Sequence, residues 1–294
     1  MPRIKQILCP VDFSEPSARA YDSAQSLARY YQAKLFLQHV VDFVLPSYAY
    51  YADAIYVKEL FQTIRDDARK QLQEFAKSHT RTGVHPECLV HEGGVTDSIL
   101  SFAAAQNVDL IVMGTHGRKG VDRATLGSAA EKVLRKARCP VLVSRKPGYA
   151  VVVPDGAQDS IELRRIIFCT DFSDPARRAL EYALSVAAEY DAEITLLHVL
   201  EHVQTLANIQ EAIAAATNQI DKLIPSEGCR TPKIKTMVRI GTAYEQIIQY
   251  ASEIQADLLI MAVRGRNAVD LAVFGSTTYR AIQLGSCSVL AVHV

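Results

Sequence analysis

The sequence predicts an α/β protein of two tandem domains, each a five-stranded, mostly parallel, doubly wound sheet with helices on both faces. Three observations predict it. The chain has 294 residues, long for a single core and suited to two. It contains an internal duplication of a unit of about 140 residues. Within each copy, short continuous apolar runs alternate with amphipathic helical patterns, the signature of buried parallel strands joined by crossover helices.

The duplication is visible by direct comparison. "ILCPVDFSEPSARA" at 7–20 matches "IFCTDFSDPARRA" at 167–179, an offset of 159 that also pairs His39 with His198. From Gly93 and Gly241 onward the offset is 148, so the first copy carries 11 extra residues in its middle, around the tyrosine-rich "VLPSYAYYADAIY". The copies occupy residues 1–147 and 162–294, with a linker at 148–161 marked by Pro, Gly and Asp.

In the first copy, strands are expected near 4–11, 34–41, 86–91, 109–113 and 140–144. The first helix opens with Ser14 as N-cap and Pro16 in its first turn, and sets Ala20, Ala24, Leu27, Ala28 and Tyr31 on one face. Ser173, Pro175, Leu180, Ala183, Leu184 and Ala187 repeat it in the second copy. The second helix bears Leu60, Ile64, Ala68, Leu72 and Phe75 on a core-facing stripe. The tyrosines ahead of it, in the stretch 48–56, serve either as a lid or as a packing surface against another subunit, with packing preferred.

Composition narrows the function. There are 32 Lys and Arg against 32 Asp and Glu, which argues against a broad nucleic-acid surface. Residues 1–147 hold 20 basic and 15 acidic residues, a net of +5, and the remainder holds 12 and 17, a net of −5, so the first copy is the better home for an anion. No apolar run is long enough for a membrane helix, and "MPRIKQILCPVDFSE" lacks the features of a signal peptide, so a cytoplasmic location is expected. No two of the six cysteines lie within four positions of each other, which gives no zinc pattern; Cys139 and Cys287 read as small buried hydrophobes. His39 and His198 read as core histidines rather than metal ligands.

In an open α/β sheet, ligands bind beyond the carboxyl ends of the strands, where strand order reverses. Pro10, Val11, Asp12, Val40, Met113 and Gly114 all fall there. After Met113 comes the loop "GTHGRKGVDRATLGSAAEKV", whose glycines allow close backbone approach and whose end starts a helix. Gly127 and Ser128 then sit at a helix N-terminus, where free N–H groups and the positive end of the dipole favour phosphate. His116, Arg118 and Lys119 can add donors or charge, and Asp12 can accept from ribose hydroxyls or a base. A structural alternative stands beside this: Ser128 followed by Glu131 reads as a capping box that serves only its own helix.

The joint pattern of "PVDFSE" after strand one, "HVV" after strand two, Gly114-x2-Gly117-x9-Gly127-Ser128 and a terminal "CPVLV" resembles the universal stress protein family in its tandem two-domain form. That resemblance covers nearly the whole chain, twice, and implies a Rossmann-like fold of the adenine nucleotide alpha hydrolase type. Nucleotide-binding members hold ATP with the residues after strands one, two and four. By position, the resemblance implies Pro10, Val11, Asp12 and Val40 around adenine and ribose, and Met113, Gly114, Gly117, Arg118, Gly127, Ser128, Ala129 and Ala130 around ribose and phosphates; His116, read from its own place in the loop, either reaches a phosphate or faces solvent, as does Arg264 in the same place of the second copy. Its cofactor is ATP, with or without magnesium. In the second copy the matching residues are Thr170, Asp171, Val199, Met261, Gly265, Arg266, Gly275, Ser276, Thr277 and Thr278. Here Ala262 replaces Gly114 and Cys169 replaces Pro10, so the second site either binds nucleotide or is a retired site kept for its shape.

The expected function is a nucleotide-dependent stress-response regulatory module, with binding strongest in the first domain. Family members commonly dimerise through their last strands, so the resemblance implies that "PVLVS" and "SVLAV" pair across the copies within one chain, covering two sheet edges at once, and the expected assembly is a homodimer of tandem chains, each with an internal pseudo-dimer. The chain has no Walker lysine motif, no "SGGxDS" loop and no "HxGH" pair, so catalysis is not expected. Slow ATP hydrolysis or nucleotidyl transfer is the enzymatic alternative, and a nucleotide-free interaction module is the third.

Overall fold

The computed structural model describes residues 4–42, 54–115, 126–145, 163–201, 206–224, 232–263 and 275–293. The first half runs β1 (Gln6–Pro10), α1 (Glu15–Tyr31), β2 (Lys34–Val41), α2 (Ala54–His79), β3 (Glu87–Glu92), α3 (Val95–Ala105), β4 (Leu110–Gly114), α4 (Ser128–Lys136) and β5 (Val141–Ser144). The second runs β6 (Arg165–Cys169), α5 (Asp174–Glu189), β7 (Glu193–Leu200), α6 (Leu206–Asp221), β8 (Lys233–Ile240), α7 (Ala243–Glu253), β9 (Leu258–Ala262), α8 (Ser276–Leu284) and β10 (Ser288–Val292). The sheet order is β3-β2-β1-β4-β5-β10-β9-β6-β7-β8. Each half is therefore a parallel five-stranded sheet that reverses direction of growth between β1 and β4, or between β6 and β9.

The halves join as the sequence predicts. β5 and β10 pair antiparallel, with Val143 opposite Val289, Leu142 opposite Leu290 and Val141 opposite Ala291. Alone, each would be an apolar edge strand open to association with another chain. Paired, they turn two sheets into one and let the cores run through. On one face, Ile7, Leu37, Val112 and Leu142 share a cluster with Phe168, Leu196, Ile260 and Leu290 beneath α1, α2, α5 and α6. On the other, Leu8, Ile111 and Val143 share a cluster with Ile167, Leu259 and Val289 beneath α3, α4, α7 and α8. Each fully buried Leu, Ile or Phe contributes on the order of 1.5–3 kcal/mol of transfer free energy.

The seam also has a polar part. The C-terminal ends of α1 and α5 meet, where Tyr190 donates to the Tyr31 hydroxyl at 2.8 Å and Tyr31 donates to Glu189 Oε2 at 3.3 Å. Tyr30 stacks on Tyr190 with ring centroids 5.1 Å apart.

Side-chain anchors repeat with the sequence. Asp109 Oδ2 accepts from the backbone N–H of Lys5 (2.7 Å) and Gln6 (2.9 Å), pinning the approach to β4 to the start of β1. Asp257 Oδ2 does the same for Arg164 (2.9 Å) and Arg165 (2.8 Å). Helix α2 has 26 residues against 16 in α6, so much of the first copy's extra length is helical. Its stripe is buried at Ala68, Leu72 and Phe75 and half-buried at Leu60 and Ile64. The tyrosine stretch at 48–53 and the linker at 148–161 lie outside the described residues.

Candidate nucleotide site

The site edge begins where β1 ends. Val11 N–H donates to Gln38 O at 2.8 Å, carrying the β1–β2 ladder one residue past the strand. The chain then turns sharply: Phe13 stands in the left-handed region with φ 64°, and so does Phe172, with φ 63°, at the matching place in the second half. A left-handed non-glycine residue costs about 1–2 kcal/mol. Three contacts hold it. Asp12 Oδ1 accepts from Ser14 N–H (3.1 Å) and Ser14 Oγ–H (2.6 Å), the Phe13 ring packs on His39 at 4.3 Å, and His39 Nδ1 donates to Val11 O at 2.8 Å. In the second half, Asp171 Oδ1 accepts from Ser173 N–H (3.0 Å), Thr170 Oγ1 accepts from Phe172 N–H (3.0 Å), Phe172 packs on His198 at 4.4 Å, and His198 Nδ1 donates to Thr170 O at 2.7 Å. The two histidines fasten β2 and β7 to the ends of β1 and β6, the core role expected of them.

Ser14 and Ser173 cap α1 and α5 with their own side chains, accepting from Ser17 N–H and Ala176 N–H. The helices that follow β4 and β9 are different. Gly127 and Gly275 are the N-caps of α4 and α8, and neither has a side chain with which to cap its helix. The capping-box reading of Ser128 is therefore overturned: Ser128 is the first helical residue and is exposed, and Glu131 pairs instead with Arg135 at 2.9 Å. The physical reason is that a cap must precede the helix with extended backbone, and Gly127 holds that place with φ −61° and ψ 142°. Gly127 N–H donates to Thr115 O (2.8 Å) and Gly275 N–H to Val263 O (3.1 Å), so each loop returns to the strand it left. The first intrahelical bonds come from Glu131 N–H to Gly127 O and Tyr279 N–H to Gly275 O. The N–H groups of Ser128, Ala129 and Ala130, and of Ser276, Thr277 and Thr278, thus belong to the helix's opening turn, which has no intrahelical acceptor and favours an anion.

The other expected residues divide by exposure. Pro10 and Asp12 are half-buried at the edge, while Val11, Val40 and Met113 are buried and hold the strand ends in place. In the second half, Asp171, Val199 and Thr277 are half-buried, Ser276 is exposed, and Thr170 and Met261 are buried. Thr278 is also buried, and its hydroxyl donates to Ala262 O at 3.1 Å, so it ties α8 to the end of β9. Expected contacts His116, Gly117, Arg118, Gly265 and Arg266 lie outside the described residues.

The difference between Gly114 and Ala262 has a packing cause. A Cβ on Gly114 would lie 2.8 Å from Pro16 O and 2.9 Å from Pro16 C, so the first turn of α1 sits directly on the end of β4. Ala262 carries that Cβ, and it is buried in the cluster beneath α5 with Ala179 and Leu180. The methyl faces the helix layer. Sequence spacing aligns Ala262 with Gly114 but does not reveal which face of the sheet a strand-end residue presents.

The pattern of the Universal stress protein family matches residues 3–145 and 162–293. Universal stress protein MJ0531 of Methanocaldococcus jannaschii is 37% identical over 145 residues, 49% of this chain and 83% of the relative. Universal stress protein YxiE of Bacillus subtilis is 32% identical over 145 residues, 48% of this chain and 98% of the relative. Each covers about half of this chain, as expected for a duplicated unit. Among solved structures, a universal stress protein from Archaeoglobus fulgidus superimposes with a TM-score of 0.66 at 21% identity, over 99% of this chain and 97% of its own, and shows the same fold.

Proposed function

The chain belongs to the universal stress protein family, and from that premise we propose that it is a cytoplasmic ATP-binding regulatory module with a nucleotide site at the carboxyl edge of each half. One observation carries the reading: at both topological switch points, a helix whose N-cap is a glycine, with no side chain of its own to cap it, opens beside the ends of the central strands. The opening-turn N–H groups of α4 and α8 would take the phosphates, with the residues ending β1 and β6 beside the base and ribose. Asp12 and Asp171 offer acceptors for ribose while bracing their own turns.

Binding is strongest in the first half, where the net charge is positive, and the second site remains competent because the Ala262 methyl is spent in the core. The module binds rather than turns over ATP, with or without magnesium, and has neither nucleic acid nor membrane as a partner. No helix among the described residues is long and apolar enough to cross a membrane. Since β5 and β10 occupy each other, two chains would associate into a homodimer through other surfaces.

The test is to denature freshly purified protein, identify any released nucleotide, and titrate ATP against the unmutated chain, Gly117→Val and Gly265→Val. Weakened ATP binding in the variants supports the reading. Unchanged affinity in both removes these loops from the site, and phosphate release that depends on Asp12 would establish an enzyme instead.

A further inference from the structure

The helix that opens each candidate phosphate site is closed at its far end by the opposite half. In α8, Ala281 O accepts from Gly285 N–H at 2.9 Å. The next two carbonyls, Ile282 O and Gln283 O, accept from the guanidinium of Arg145, at 2.7 Å for Gln283. Arg145 follows β5 and belongs to the first half; its backbone N–H also donates to Ser288 Oγ in β10 at 3.3 Å. In α4, Val133 O accepts from Ala137 N–H at 2.8 Å. Leu134 O lies 2.8 Å from Nε2 of His293, so that nitrogen carries the proton and donates. His293 follows β10 and belongs to the second half.

These contacts are equivalent under the repeat: Val133 matches Ala281, Leu134 matches Ile282, and Arg145 matches His293, all at the offset of 148. Each helix has nine residues. At about 1.5 Å per residue, such a helix is short enough to move as one rigid body between its two ends. The carbonyl end attracts a donor or cation, and removing that donor leaves part-buried carbonyls unsatisfied. A helix that loses its seat at one end loses its aim at the other.

We propose that Arg145 and His293 are positioning residues that act across the seam: Arg145 seats the phosphate-facing helix of the second half, and His293 seats that of the first. Each nucleotide site is then incomplete without the other half. The inference rests on the nucleotide reading above and adds a direction to it, because a residue in one half controls the site in the other.

The test uses full-length chains with one site open, made with Gly275→Val (first site open) or Gly127→Val (second site open). ATP affinity is measured in each with Arg145→Gln, Arg145→Lys and His293→Ala. Arg145→Gln is expected to weaken ATP about five- to tenfold at the second site and to leave the first within about twofold. Arg145→Lys, which can still donate to the carbonyls, restores most of the loss, a rescue that simple damage to the fold would not give. His293→Ala gives the opposite pattern, weakening the first site. Losses confined to a residue's own half, equal losses in both halves, or no loss in either overturn the proposal. If only one half takes ATP, the clamp residue from the other half decides alone. If the unmutated chain takes up no ATP, the nucleotide reading falls and the inference with it, a failure distinct from uptake that ignores both clamps.

Discussion

Replacing Gly114 with alanine tests whether this glycine serves packing or ligand approach. Gly114 is not among the residues with positive φ, so the substitution carries no backbone strain of its own. The cost is steric: the new methyl meets two backbone atoms of Pro16 at 2.8 and 2.9 Å and the Pro16 Cβ at 3.1 Å, and α1 has to rise off β4. Overpacking of this kind costs about 1–3 kcal/mol, offset by about 0.4–1 kcal/mol from the stiffer unfolded chain. A net loss of about 1–2 kcal/mol follows, a fall of roughly half a molar in the urea midpoint at an m-value near 3 kcal/mol/M. The reverse change, Ala262→Gly, is destabilising as well, by about 1–2 kcal/mol, because it removes a buried methyl and adds backbone freedom. Urea denaturation followed by circular dichroism, with ATP titration on the same samples, reads both. If Gly114→Ala leaves the midpoint unchanged but abolishes ATP binding, or Ala262→Gly tightens ATP, the packing account is wrong.

Thr278→Val deletes the hydroxyl held by Ala262 O and should cost about 1–2 kcal/mol in urea denaturation while leaving ATP affinity unchanged; a large drop in affinity would place that hydroxyl on the ligand instead. Asp109→Ala releases two backbone N–H groups at the start of β1 and should lower stability by about 1–2 kcal/mol, with Asp257→Ala matching it in the second half; no effect in either would deny these anchors a role. Burial pushes the Cys287 and Cys139 thiols up from 9.0 to about 11. The folded state therefore holds their protons more tightly than the unfolded one, so their contribution to stability is intact below pH 9 and declines as pH rises from 9 through 11. Cys287→Ala should flatten that alkaline decline in a series of urea midpoints, and an unchanged slope would argue against it. Alkylation near neutral pH should reach exposed Cys88 well before Cys9 or Cys287, which are buried; mass spectrometry of partly alkylated protein decides the order.

Much of the architecture was legible because its signals are local and doubled. The apolar runs placed all five strands of the first copy close to their observed positions, and the repeat carried them into the second. The pairing of β5 with β10 was expected from the family resemblance, and it covers two apolar edges at once. What stayed hidden depends on the third dimension. The left-handed turn at Phe13 and Phe172 has no glycine to announce it, because aspartate, serine and histidine side chains supply the restraint. Ser128 read as a cap because a serine three positions before a glutamate fits the motif, and only the backbone shows that Gly127 holds the place. The face that Thr278 presents was hidden too: its hydroxyl donates to Ala262 O. The contacts of Tyr31 with Tyr190, and of Arg145 and His293 with the opposite helices, join residues brought together by the pseudo-twofold seam, which sequence distance does not encode.

Under the proposed function, ATP binds at the glycine-capped openings of α4 and α8. Equilibrium dialysis of ATP against the full chain and against a double variant, Gly127→Val with Gly275→Val, tests it most directly. Saturable binding by the unmutated chain, tighter in the first half, is expected, with its loss in a double variant that still unfolds cooperatively. Failure of the unmutated chain to bind, or undiminished binding by the folded double variant, would contradict it.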